Sequence, residues 1–232
     1  LESAGNIQAR DIDLVLQAIA DAPLRDAQFR LDYDLSADMP AQQIQIRRAE
    51  LNLNGIPLSA SGQVSQFKST PRLDLKLKMP ETRVQQILSA MPQKIGDSAA
   101  GMDPAGAVAA DIEIAGRADQ PKTMLKSGHI RLDQLSANAG GLRPKIEGIM
   151  NLSSDRISSK DLQVQLGADT VSVDLEVTGF YSAPVHISHR AHAVNLDLDA
   201  LIAAAGQGGD KEPKKPEKQT GKEKKAAADE EI

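Results

Sequence analysis

The chain has 232 residues, a net charge of −5 and no cysteine. Its length allows one large domain or two small ones, and the missing thiols exclude disulfides and thiolate metal sites. The negative charge argues against a nucleic-acid surface, because phosphate binding needs clustered Lys and Arg. Aromatic residues are only 2% and Trp is absent, so the apolar mass is Leu, Ile, Val and Ala.

Strict alternation of apolar and polar residues dominates the first half of the chain. It predicts strands at "FRLDYDL" (29–35) and at "LDLKLKM" (73–79), each with one apolar and one charged face. The stretch "ETRVQQILSAMPQKI" has helical spacing instead and is closed by a proline, so it predicts a short helix near residues 82–91. The segment "DIDLVLQAIADAP" near the start resembles it.

The second half repeats this pattern after a linker at residues 96–107. Strands are predicted around Asp111 to Ile114, at "LQVQL" (162–166), at "VSVDLEV" (171–177) and at "VNLDL" (194–198). A second short helix is predicted at "DLDALIAAAG". From residue 207 the chain is rich in Lys and Glu and nearly free of apolar residues, which predicts a disordered charged tail or linker.

One motif recurs. "DIEIAGRADQP" (111–121) and "DLEVTGFYSAP" (174–184) share the form Asp-aliphatic-Glu-aliphatic-x-Gly-x4-Pro, and a looser copy surrounds Gly62 and Pro71. We expect the glycines to adopt positive φ in turns after apolar strands. The recurrence indicates a chain built from structural repeats.

No residue pattern points to catalysis. The acids alternate with aliphatic residues, which is typical of a solvated strand face, and neither a nucleophile elbow nor a phosphate loop is present. The run "HISHRAH" has three histidines at three-residue intervals, which could indicate a metal site. On a strand, however, His186 and His192 lie ~20 Å apart and His189 faces the other way, so we predict no metal site, no cofactor and no enzymatic activity.

These patterns predict a mainly β protein: an elongated, curved antiparallel repeat sheet with two or three short helices. Residues 1–95 form a first β segment, residues 108–206 a second one, and residues 207–232 the tail. The strands must bury their apolar faces, which leaves two alternatives. One is a trough with an open apolar groove, and the other is a closed sandwich.

Residues 108–202 resemble the AsmA-like family of Gram-negative envelope proteins, which is related to TamB and YhdP. The resemblance rests on "VAADIEIAGRADQP", on "ISSKDLQVQLGADTVSVDLEVTG", and on "VNLDLDALIAAA" before the Lys/Glu-rich stretch. Weaker versions occur in "IQARDIDLVL" and in residues 54–88, so the resemblance extends over nearly the whole chain except the tail.

The resemblance implies a periplasmic protein tethered to the inner membrane by an N-terminal helix outside this fragment. It also implies a part in phospholipid traffic and outer-membrane assembly. The first hypothesis is therefore a non-enzymatic segment that binds or conducts phospholipid or another acyl-chain lipid along an apolar β groove. The second is a structural scaffold that recruits envelope proteins through its edge strands. No nucleic acid is expected as a partner.

Twelve aliphatic positions on the apolar strand faces are candidates for lining the groove. They are Leu73, Leu75, Leu77, Ile112, Ile114, Leu162, Val164, Leu166, Val171, Val173, Leu175 and Val177.

Overall fold

The structure is a computed structural model that describes residues 1–14, 24–91, 101–139, 141–181 and 184–194, together with residues 196, 197, 199 and 202. Eleven strands make up most of this part of the chain. They are β1 Glu2–Leu14, β2 Leu24–Asp38, β3 Gln43–Leu53, β4 Ile56–Ser65, β5 Arg72–Arg83, β6 Ala105–Arg117, β7 Leu125–Ser136, β8 Lys145–Ser153, β9 Arg156–Leu166, β10 Asp169–Thr178 and β11 His186–Ala193.

The strands form a single antiparallel sheet in which each pairs with its neighbours in the sequence, from β1 to β11. The sheet is open and uncurled, and β1 and β11 are its two edges. This confirms the predicted mainly β class. Because the sheet is uncurled, its apolar side is a broad open face rather than the inside of a deep trough. β5 pairs directly with β6, so one sheet runs from the first predicted segment into the second.

The two faces of the sheet differ in polarity, because side chains alternate along each strand. In β5, for example, the aliphatic residues are half-buried while the Asp and Lys between them are exposed. Leu77 pairs with Ala60 and Ile112, and Lys78 pairs with Ser59 and Asp111. Apolar residues therefore lie beside apolar ones and charged residues beside polar ones across strands.

β-Bulges keep the apolar residues on one side where the alternation slips. Successive apolar-face positions are three residues apart instead of two in β1, β3, β5, β7 and β9. The extra residues belong to the pairs Arg10–Asp11, Arg47–Arg48, Pro80–Glu81, Asp133–Gln134 and Lys160–Asp161. Each bulge places one unpaired extra residue in the strand without turning the following aliphatic side chains to the wrong face.

The helix α1, Val84–Ser89, lies within the predicted span 82–91 and contacts β5 and β6. Gln86 holds it to the β3–β4 turn by donating a hydrogen bond from Nε2 to the Gly55 carbonyl. A 3-10 helix, Pro121–Thr123, joins β6 to β7. The predicted second helix covers residues 197–206, of which only Asp197, Asp199 and Ile202 are described. Asp199 and Ile202 are helical. The third possible helix was predicted at residues 11–23. Its residues 11–14 belong to β1, and the rest lie outside the described residues. The predicted tail, residues 207–232, also lies outside them.

Two local predictions were wrong. "VNLDL" is not a strand at its described residues 194, 196 and 197, because pairing with β10 ends at Ala193, opposite Val171. Gly62 and Gly116 have positive φ as expected, but both lie inside strands rather than in turns. A Cβ on Gly62 would stand 2.1 Å from the Asp74 carbonyl oxygen, so the close approach of β4 and β5 requires glycine there.

Candidate functional site: an open apolar sheet face

A single row of paired residues without any charged side chain crosses all eleven strands on one face. Each member is the direct cross-strand partner of the next. The row runs through Gly5, Tyr33, Ala49, Ala60, Leu77, Ile112, Gly128, Leu152, Ile157, Val177 and Ile187. We call this the central apolar row, and the side of the sheet that carries it the apolar face.

The twelve predicted groove positions all lie on the apolar face. Leu77, Ile112 and Val177 belong to the central row itself. Leu75 pairs with Ile114, and the two strands of the C-terminal hairpin join Leu162 to Val173 and Val164 to Val171. The three remaining candidates, Leu73, Leu166 and Leu175, lie on the same face of these strands. The structure thus brings together positions up to about 100 residues apart in sequence.

No second layer covers this face within the described part of the chain. None of its large side chains is fully buried, and the buried apolar residues are few: Ala27, Ala90, Ala107, Met124, Leu132, Leu162 and Val171. At the β11 edge Ile187 remains 66% exposed. The aliphatic side chains shield one another within a single layer, which explains why most of them are half-buried rather than buried.

The apolar face is large. Ten gaps between eleven strands span about 48 Å, and apolar rows extend roughly 20 Å along the strands. The resulting area of roughly 1,000 Å² exceeds the ~300–600 Å² of the largest apolar patch on a typical soluble monomer. A patch of this size marks an interaction surface.

The opposite face, the polar face, is held by ion pairs between neighbouring strands. Lys76 Nζ lies 3.3 Å from Glu113 on β6, and Arg156 lies 2.7 Å from Glu176 on β10. The hydrogen bond and the charge of Lys76 hold the pKa of Glu113 below its usual value. The Glu113 carboxylate is therefore stabilised in its charged form, which suits a solvated surface.

Two wide depressions lie on the polar face. One of about 1060 Å³ is lined by groups of both signs, among them Lys78, Asp111 and His129. The Asp111 carboxylate there lies 3.3 Å from His129 Nε2 and 3.8 Å from Lys78 Nζ. The other, of about 740 Å³, is lined near β1 to β4 by residues such as Gln28, Arg30 and Glu50. Arg30 there pairs with Asp32 at 2.9 Å and Glu50 pairs with Arg48 at 3.8 Å, as expected of a solvated sheet surface.

The three histidines of β11 do not converge. His186 and His192 lie on the polar face opposite Thr178 and Ser172, and His189 lies on the apolar face opposite Leu175. This is the split that the strand periodicity predicts. Within the described ranges, no group of three or more His, Asp and Glu side chains could hold a metal ion.

Sequence reasoning missed the central apolar row as a continuous feature, because the register of strands was unknown. It also missed the bulges. The sequence did contain a signal for the bulges. Each bulge is a pair of polar or Pro residues between aliphatic or small ones, such as Arg47 and Arg48 in "IQIRRAELNL" and Lys160 and Asp161 in "ISSKDLQV". A three-residue step in an otherwise two-residue alternation predicts a bulge.

Comparison with known proteins gives no relatives: no family model matches the chain, and no curated protein or solved structure matches it significantly. The resemblance to the AsmA-like family stays a prediction. Among the residues that the structure describes, no helix has the length and apolar character needed to cross a bilayer.

Proposed function

We propose that this chain is a non-enzymatic lipid-handling segment whose apolar face binds the acyl chains of phospholipids. One observation carries the proposal: an uncharged row crosses eleven strands and no described residue covers it. Lipid would bind by burial of apolar surface alone, which needs no directional contact and no catalytic group.

The dimensions of the apolar face suit acyl chains. The hydrocarbon core of a bilayer is ~30 Å thick, so a single acyl chain extends about 15 Å. The apolar rows reach roughly 20 Å along the strands and about 48 Å across them. Several chains could therefore lie side by side with their headgroups at the strand ends.

The polar face supports the same proposal from the other side. Its ion pairs keep a long single-layer sheet soluble on one surface while the other surface holds lipid. The family resemblance adds the context of this proposal: a periplasmic segment, tethered to the inner membrane elsewhere, that takes part in phospholipid traffic and outer-membrane biogenesis. At about 48 Å this sheet would form one segment of a longer path.

Two adjacent residues of β4 allow a matched test. Ala60 lies in the central row between Ala49 and Leu77, and Ser61 lies on the polar face opposite Lys76. Ala60→Asp and Ser61→Asp each add one carboxylate at nearly the same place on opposite faces. Each protein is incubated with vesicles of phosphatidylethanolamine and phosphatidylglycerol, re-isolated and examined by native mass spectrometry and thermal melting.

We expect the wild type and Ser61→Asp to carry phospholipid and Ala60→Asp to lose at least about tenfold of it. On an open face water reaches the new carboxylate, so the Tm of Ala60→Asp should fall by only about 2–8 °C. A wild type without bound lipid would contradict the proposal. If Ala60→Asp also failed to fold, the face would be packed against a protein layer rather than open to lipid, as in the closed-sandwich alternative.

A further inference from the structure

The edge strand β11 is open along its outer side. Seven of its eight residues are exposed and Ala193 is half-buried. It pairs only with β10, over eight consecutive residues and without a register shift, and no described residue pairs with its other side. Its outer backbone N–H and C=O groups therefore form a regular, unoccupied template for another strand.

The two edges of the sheet differ in this respect. β1 contains a bulge at Arg10–Asp11, and Asp11 has a φ of 55°. Bulges distort an edge and discourage pairing. β1 is regular only from Glu2 to Ala9, whereas β11 has neither a bulge nor a proline along its whole length.

The side chains of β11 carry positive or titratable groups and no acid. His186, Arg190 and His192 lie on the polar face, and none of them forms an ion pair within the described residues. On the apolar face Ile187 continues the central apolar row to the edge of the sheet. The edge thus has one side with Arg190 and two histidines and a mainly apolar side that also carries His189.

We propose that β11 is a docking edge for an antiparallel strand of another polypeptide, one that alternates acidic and aliphatic residues. Such a strand would pair its backbone with β11, place its acids opposite His186, Arg190 or His192, and extend the apolar face. This is strand addition with specificity set by charge. The inference does not depend on lipid binding, because it concerns the edge rather than the face.

A second copy of this chain fits the edge poorly. In its central registers, an antiparallel pair of β11 strands that keeps both apolar faces together places basic residues opposite each other, and these repel when the imidazoles are protonated. In the register centred on His189, His186 faces His192; in the neighbouring registers, Arg190 faces His186 or itself. Like charges directly opposite each other destabilise strand pairing.

The histidines make the docking pH-dependent, because histidine changes charge between pH 5 and 8. The groups that face them from β10 are Thr178 and Ser172, with the acids Asp174 and Glu176 between. Asp174 accepts a hydrogen bond from the Asp161 backbone N–H, and Glu176 pairs with Arg156. His192 also lies in a shallow depression with Asp169, whose carboxylate accepts the Asp197 N–H. An incoming acid therefore adds a new partner, and protonated imidazoles should strengthen its binding.

The test uses a blocked peptide with the sequence of residues 109–116, "AADIEIAG", which has the required alternation. It is titrated into the ¹⁵N-labelled whole chain at pH 6 and pH 8 and followed by NMR and amide exchange. We expect shifts and slowed exchange in β11 but not in β1. Binding should be about 2- to 10-fold tighter at pH 6, since exposed opposite-charge pairs contribute modestly.

Two controls make the outcome decisive. A peptide with both acids replaced by Lys should bind several-fold more weakly at pH 6. The variant His186→Gln/His192→Gln should bind at pH 8 as the wild type does and lose the pH dependence. The proposal is overturned by shifts confined to β1 or to the apolar face, by equal binding of the Lys peptide, by an absence of binding, or by concentration-dependent self-association through β11.

Discussion

Arg47 illustrates how single residues hold this sheet together. It belongs to the β3 bulge, and its guanidinium lies 2.6 Å from Asp34 on β2 and 3.2 Å from Glu2 on β1. One side chain therefore joins the first three strands on the polar face. The hydrogen bond from Arg47 holds the pKa of Asp34 below its usual value of 3.8, and Asp34 raises the pKa of Arg47.

This pair predicts a pH-dependent effect of Asp34→Asn. A lowered carboxyl pKa stabilises the fold above pH ~3.8, and that stabilisation is lost as the pH falls through the folded-state pKa. Because the pair is exposed, the variant should melt only about 1–3 °C below the wild type at pH 7. The difference between the two proteins should shrink as the pH falls below 3.8. Asp74→Asn is the control, since the Asp74 carboxylate forms no ion pair among the described residues, and an undiminished difference at pH 2.5 would contradict the prediction.

At the scale of the strand, face assignment depends on both alternation and bulges. In β9 the apolar-face positions are Ile157, Ser159 and Leu162, so the bulge at Lys160–Asp161 absorbs one extra residue. The pairing with β8 shows the same extra residue. The stretch of β9 from Ser158 to Gln163 is one residue longer than the stretch of β8 from Glu147 to Asn151 that it faces. A single bulge therefore accounts for the register on both sides.

Two single-residue deletions in β9 should consequently behave in opposite ways. Deleting Asp161, which has a φ of 57°, makes β9 match both neighbours without a bulge and keeps Leu162 on the apolar face. Deleting Gln163 turns Val164 and Leu166 to the polar face. We expect a Tm within about 5 °C of wild type for the first deletion and a loss of at least about 10 °C, or failure to fold, for the second. Equal damage from both deletions, seen by thermal melting, would disprove the bulge assignment.

At the scale of the whole molecule, the sheet is nearly one-dimensional. Each strand contacts only its sequence neighbours to any extent, and no described element bridges distant strands. Stability in such an array is approximately a sum of nearest-neighbour terms, so the ends open more readily than the middle. β5 and β6 lie at the centre of the array, where each strand is paired on both sides.

Native-state amide exchange should therefore be graded across the sheet. We expect the highest protection in β4 to β7 and the lowest in β1 and β11, with intermediate values between them. Hydrogen exchange followed by mass spectrometry resolves this gradient. Uniform protection from β1 to β11 would instead show that the sheet opens as a single cooperative unit.

Much of the local structure was predictable because it depends on neighbours in the chain. The alternation at residues 29–35, 73–79 and 171–177 identified strands and their apolar sides, and helical spacing identified α1. The failures are equally local in origin. "VNLDL" alternates as well as any strand, but pairing with β10 ends at Ala193, and its described residues 194, 196 and 197 are not in a strand. A glycine is typical of a turn, but Gly62 lies in β4. It is needed there because the Asp74 carbonyl oxygen approaches too closely for a side chain, and the sequence alone does not reveal this contact.

The sequence by itself determined that this protein is mainly β, that its strands have two unlike faces, and which aliphatic residues share a face. Those properties follow from periodicity, which local chain geometry enforces. Only the tertiary structure decided that all strands join one open sheet, that Gly5 and Ile187 end the same uncharged row, and that no described layer covers it. Strand order and register depend on pairing between residues far apart in the chain. The same apolar strand faces can also either pack against each other in a sandwich or remain open, and the alternation pattern does not distinguish the two.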